Sequence, residues 1–310
     1  MTSQAAAHAP RGTEKMPDPM QDYGPPPKGH GEKRSWFSIV TVTVLVILWT
    51  VPTLGLLVTS FRSRTDSITS GWWTAIFNPF DTTWTIDNYD RMFERTDMAS
   101  ALVNSVVVAV PATIIPIMFA AFAAYAFTFM SFRGKDFLFV SIVAVMVVPL
   151  QVALAPMLDL MGPRGLGIVG DYLSVWILHT GFGMPLAIYI LRNYMTTLPT
   201  TVIESAKIDG ATHFQTFWRL IVPMSVPALA GFAILQFLWV WNDLLIAKLF
   251  LGGGTNETVI VELQGILGTQ GQGAELLTAG AFITIVIPMT VFFVMQRYFV
   301  RGLTAGAVKG

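Results

Sequence analysis

Charged residues leave six long apolar runs along the chain, at residues 36–61, 98–132, 137–158, 172–191, 220–242 and 276–296. Each is near or above the ~20 residues an α-helix needs to cross a hydrocarbon core. That core holds no water, so backbone donors and acceptors must pair within the segment, and runs of this kind predict helices. A barrel is excluded, because the runs lack period-2 alternation and are about twice the ~10 residues of a barrel strand. The expected fold is an all-α membrane protein with six spanning helices at about 36–61, 101–130, 137–159, 172–194, 224–248 and 277–299. Pro111, Pro116, Pro149, Pro185 and Pro288 lie inside these runs and are expected to kink them.

Between the fourth and fifth runs stands TVIESAKIDGATHFQTFWRLIVPMSVP, residues 201–227. Thr201 with Glu204, and Thr212 with Gln215, each have the spacing of a capping box, so two short helices are expected with Asp209 and Gly210 turning the chain between them. Phe214, Phe217, Trp218 and Ile221 share one face at helical spacing, which predicts an apolar stripe on the second helix. Pro223 and Pro227 are expected to end it.

Composition agrees with the pattern: 53% of residues are hydrophobic and 12% charged, far from soluble usage. Lys and Arg favour cytoplasmic loops. With the N-terminus inside, thirteen fall on the inner side and six outside, and the loop at 251–275 has none. Both termini and the 201–227 loop are therefore expected in the cytoplasm of a prokaryotic cell, with 251–275 external. The first run exceeds the 7 to 15 residues of a signal-peptide core and is expected to remain. Residues 1–33 carry prolines at 10, 17, 19 and 25–27 and read as a disordered cytoplasmic tail.

Little catalytic chemistry is on offer. No phosphate loop occurs, since the glycines at 252–254 lack the lysine. His8, His30, His179 and His213 are scattered, and there is no cysteine, so neither a metal site nor an enzyme active site is expected. A net charge of zero gives no reason to expect nucleic-acid binding. Within the spans, Gln151, Gln236, His179, Asn242, Asp243, Trp239 and Trp241 carry the polar or aromatic groups available to a solute. Trp at a span end also serves interfacial belts, and Asn or Gln also joins helices.

Glu204, Ala206, Asp209, Gly210, Ala211, Phe217 and Pro223 resemble the Glu-Ala-Ala loop of bacterial ABC importer permeases, with Ser205 where the triplet usually has alanine. WVWNDLL at 239–245 and the C-terminal LTAGAFITIVIPMTVFFVMQRYFVRGLTAGAVKG extend the likeness, and the chain from Ser35 onward is similar to the smaller permease subunit of maltose-type sugar importers. The resemblance implies the type I importer permease fold with a cytoplasmic coupling helix pair. It also implies a second homologous permease, two copies of a cytoplasmic ATPase that bind ATP and Mg, and an external sugar-binding protein or lipoprotein, all around a chain embedded in lipid that itself binds no cofactor.

By the same resemblance, Glu204, Ala206, Asp209, Gly210, Ala211 and Phe217 couple to the ATPase, and the tail residues Gly306, Val308, Lys309 and Gly310 reach between the two ATPases. Gln264, Gly265, Gln270 and Gln272 become contacts of an external finger with the binding protein, against the alternative of a solvated connector. Gln236, Trp239 and Asn242 become the candidate substrate path. The implied substrate is an oligosaccharide or α-glucoside of the maltose, maltodextrin or trehalose class. A secondary carrier or channel would need ion-binding carboxylates or broken helices near the midplane, and the span centres lack charge.

Overall fold

The computed structural model describes residues 36–266 and 273–307; the expected N-terminal tail at 1–33 lies outside them. In chain order the helices are α1 (Trp36–Ser60), the short α2 (Arg64–Thr69), α3 (Trp72–Phe77) and α4 (Asp87–Arg95), the long α5 (Met98–Phe129), the pair α6 (Lys135–Val145) and α7 (Leu150–Met161), then α8 (Tyr172–Met195), α9 (Thr200–Ile208) and α10 (His213–Thr216). A π turn at Phe217–Ile221 leads into α11 (Val222–Trp241), followed by α12 (Leu245–Leu251), α13 (Val259–Ile266) and α14 (Ala274–Ala307). Among the described residues the only β contact is an isolated antiparallel bridge between Arg62 and Trp84.

Among the described residues, five helical stretches are long and apolar enough to cross a membrane: 36–60, 98–129, 172–195, 213–241 and 274–297. The third apolar run differs from the single span expected at 137–159. Its halves, α6 and α7, meet at a bend of 95°. Pro149 stands at the N-cap of α7, where it offers no N–H to the preceding turn and drives the residue before it out of the helical region. Pro111, Pro116, Pro185 and Pro288 stay inside continuous helices. The fifth span stops at Trp241 rather than continuing to 248, because Asn242 caps it and α12 starts afresh.

The described residues divide after Thr50 into two compact units. Within the second, one buried cluster brings Met98, Ala109, Val175, Leu178, Phe237 and Trp241 together, and another brings Ala120, Tyr125, Leu191, Met195, Ile203 and Phe217. Ala109, Ala112, Ala120, Ala121 and Ala124 are buried along α5, and such small side chains let apolar helices approach closely where van der Waals contact, not water exclusion, drives association.

The connector at 61–97 is a compact polar knot. The buried Arg62 side chain donates to the backbone oxygens of Asp66 (2.7 Å) and Ser70 (3.1 Å), and Asn88 donates to those of Ser60 and Arg62 (both 2.9 Å). Asp66 accepts from the Thr83 amide at 2.8 Å, and that bond, ahead of a small opposing effect of burial, holds its carboxyl below the usual range. Arg91 of α4 approaches the fully buried Glu275 in the first turn of α14 at 3.6 Å, tying the connector to the last span.

Candidate functional site

The helix pair at 200–221 is defined by its turn. The Ala211 amide donates to the Ala206 carbonyl (2.9 Å) and the Gly210 amide to that of Lys207 (3.1 Å), the two bonds of a Schellman cap. Such a cap needs a left-handed residue just past the helix, and Gly210 supplies it at φ 79°. Thr212 comes next as N-cap of α10, with a complete capping box: its hydroxyl accepts from the Gln215 amide, and the Gln215 side chain accepts from the Thr212 amide. The sequence Asp-Gly-Ala-Thr is thus one stop signal joined to one start signal.

Three expectations for this segment are corrected. The box expected at Thr201 and Glu204 does not form, because α9 begins at Thr200 behind Pro199 and Thr201 is already inside the helix, its carbonyl accepting from the Ser205 hydroxyl. The expected apolar stripe is split: Phe217 and Ile221 are buried while Phe214 and Trp218 are exposed. The π turn is the cause, since its extra residue per turn rotates the side chains of this stretch away from 3.6-residue spacing. Pro223 does not end the helix either; it follows the π turn inside a helix that runs on unbroken to Trp241, and Pro227 lies inside α11.

The pair is rooted in α5. The Phe217 ring stacks on Phe122 (centroids 4.5 Å apart) and meets Tyr125 edge-on (5.5 Å), while the Tyr125 hydroxyl is hydrogen-bonded to His213 Nδ1 at 2.9 Å. Ile203, buried, anchors α9. The remaining surface is open: Glu204, Asp209 and Gly210 are exposed, Ala206 and Ala211 half-buried, and the apolar Ile208 (87% exposed) and Phe214 (67%) project beside them. Sequence reasoning missed the Tyr125–His213 link, since no local spacing connects residues 88 positions apart.

The expected external finger is partly a strapped helix. Asn104 of α5 donates to the carbonyls of Thr255 and Glu257 and accepts from Tyr172, the Ser105 hydroxyl accepts from the Val259 amide, and Asn256 donates to the Gly170 carbonyl. Of the residues singled out there, Gln264 accepts from Lys248 Nζ at 2.6 Å and Gly265 is exposed, while Gln270 and Gln272 lie outside the described residues. Val308, Lys309 and Gly310 are likewise outside them, and Gly306 falls in the last described turn of α14.

The three substrate-path candidates separate. Gln236 is buried, and its Nε2 donates to the carbonyls of Ala112 (3.2 Å) and His179 (3.4 Å), so it joins α11 to α5 and α8. Gly183 makes room for it: a Cβ there would stand 2.7 Å from the Gln236 amide. Asn242 donates to the Leu238 carbonyl in its own helix. Trp239 is 42% exposed and lies edge-on to His179, with ring centroids 5.8 Å apart. A cavity of about 440 Å³ opens between α11, α13 and α14, lined by Leu238, Trp241, Leu263, Ile285 and Phe292 among others. It is mostly apolar, and its Asn242 and Thr284 side chains each donate to a backbone carbonyl of their own helix.

Long apolar helices packed through small residues, with a short capped helix pair rooted in one of them, define a multi-pass helical membrane protein. The chain belongs to the family described as binding-protein-dependent transport system inner membrane component, whose match runs over residues 112–305. It is a permease subunit of an ABC importer. It is 48% identical to the osmoprotective compounds uptake permease protein GgtD of Synechocystis sp., over 87% of this chain and 91% of that one. It is 38% identical to the alpha-glucoside transport system permease protein AglG of Rhizobium meliloti, over 89% and 97%. The fold matches a chain of the crystal structure of a bacterial ABC transporter involved in the import of the acidic polysaccharide alginate, with a TM-score of 0.65, 19% identity, and coverage of 85% of this chain and 96% of that one.

Proposed function

We propose that this chain forms one membrane half of an ATP-driven importer of α-glucosides, with trehalose as its substrate. The observation that carries the reading is the pair of relatives: one is described by osmoprotective compounds, the other by α-glucosides. Trehalose is both an α-glucoside and a compatible solute.

The partners are those the family requires. A second permease completes the pore, two ATPase subunits hold ATP and Mg, and a sugar-binding protein delivers solute outside. Glu204, Asp209 and the exposed Ile208 and Phe214 form the face that docks on an ATPase, with Glu204 paired to a basic group there. Movement of that face passes through Phe217 and the Tyr125–His213 bond into α5, because a stacked ring and a hydrogen bond transmit displacement where a solvated loop would absorb it. Closure of the ATPases then favours the outward-facing state and hydrolysis restores the inward-facing one. Gly306, in the last described turn of α14, belongs to the ATPase contact, and Gln264 and Gly265 to the contact with the binding protein.

The test is uptake of radiolabelled trehalose by cells carrying the complete transporter. Accumulation that stops when ATP is depleted supports the reading. Accumulation of an unrelated solute with trehalose excluded contradicts it.

A further inference from the structure

His179 is completely buried in α8, yet neither ring nitrogen has a hydrogen-bond partner. Its Nε2 faces Asp243 Oδ2 at 3.7 Å, too far for a hydrogen bond and close enough for a shared ligand or a charge contact. An unpaired buried polar group is costly in lipid, so ionisable groups at such positions mark function more often than packing. The cluster is not sealed: the Asp243 side chain is 10% exposed, and the neighbouring Trp239 is about half covered. It therefore presents an edge of the carboxylate and an aromatic ring at the surface of the chain, with the buried, unpaired imidazole directly behind them. Gln236 is buried and commits its Nε2 to the carbonyls of Ala112 and His179.

We propose that His179, Asp243 and Trp239 form a binding subsite for one ring of a polyhydroxylated solute. The carboxylate takes hydroxyl groups, the imidazole behind it forms the floor of the subsite, and the indole stacks on the apolar face of the sugar ring. The inference rests on the import function proposed for the chain. Asp243 has a local duty as well, since its Oδ2 accepts from the Ala247 amide at 3.0 Å and so caps α12. Asparagine at 243 keeps that acceptor and removes the charge, which separates the two roles.

The experiment uses the whole transporter in proteoliposomes with radiolabelled trehalose as probe. For Asp243→Asn and His179→Gln, with the amount of assembled complex measured alongside, maximal uptake is expected to fall about tenfold, the effect of roughly 1.4 kcal/mol of lost interaction. A second readout is binding itself. The chain has no cysteine, and Leu235 lies one turn before Trp239 on the same exposed face of α11. In Leu235→Cys, trehalose is expected to slow modification by a water-soluble methanethiosulfonate several-fold. Wild-type uptake in both variants, or modification indifferent to trehalose, overturns the subsite and leaves His179 and Asp243 as packing and cap. Failure of the unaltered transporter to take up trehalose contradicts the proposed function and removes the subsite with it.

Discussion

Gly210 joins backbone geometry to the proposed coupling role at a single position. Its φ of 79° is a conformation that costs other L-residues roughly 1–2 kcal/mol, and its amide also holds the Lys207 carbonyl. Gly210→Ala is therefore expected to lower ATP-driven uptake modestly. Gly210→Pro cannot adopt the angle and loses the amide, so uptake should be abolished while the chain still reaches the membrane; immunodetection beside a transport assay separates the two effects. Asp66 offers a pH-dependent counterpart. Its folded pKa lies below its unfolded value, so its stabilisation is complete above about pH 3.9 and is lost as pH falls through the lower folded value. Hydrogen exchange across residues 80–86 should accelerate in that acid window, and Asp66→Asn should abolish the dependence. An exchange rate insensitive to the substitution would show that the Thr83 bond does not hold the knot.

At the scale of elements, the link between α10 and α5 and the link between α4 and α14 make separate predictions. Tyr125→Phe keeps the ring contacts with Phe217 and deletes the hydrogen bond to His213. Less solute moved per ATP hydrolysed is expected, with binding of the ATPase retained; an unchanged ratio would remove this bond from the coupling path. Arg91→Ala leaves Glu275 buried without its cation, which typically costs about 3 kcal/mol or more, whereas replacing both by apolar residues costs far less. Thermal unfolding of the purified complex reads the difference. The helices themselves were legible from the apolar runs, and so was the second helix start at Thr212, because those signals are local. The bend at Pro149 and the π turn at Phe217–Ile221 were not, since a proline inside an apolar run reads equally as a mild kink and nothing in a 3.6-residue pattern announces an extra residue. The first helix start was misplaced by the same locality: Thr201 and Glu204 match a capping box, but Pro199 begins the helix earlier.

In the molecule as a whole, the candidate site was half visible beforehand. The turn at Gly210 and the helix start at Thr212 are legible in sequence because their signals are contiguous. The membrane cluster is not: Gln236 and Asn242 look equal to His179 and Asp243 among the polar positions of the spans, and only packing reveals that the first two are occupied by backbone carbonyls and His179 is free. The strapping of 252–266 to α5 was equally hidden, as it depends on Asn104 and Ser105, more than 150 residues away. The central claim is that this chain is one membrane subunit of an ATP-driven importer. It is tested most directly by gentle purification from the native membrane and mass spectrometry of the proteins that accompany it. The account predicts an ATPase, a second permease and a sugar-binding protein. Recovery of this chain alone, moving solute without ATP, would contradict it.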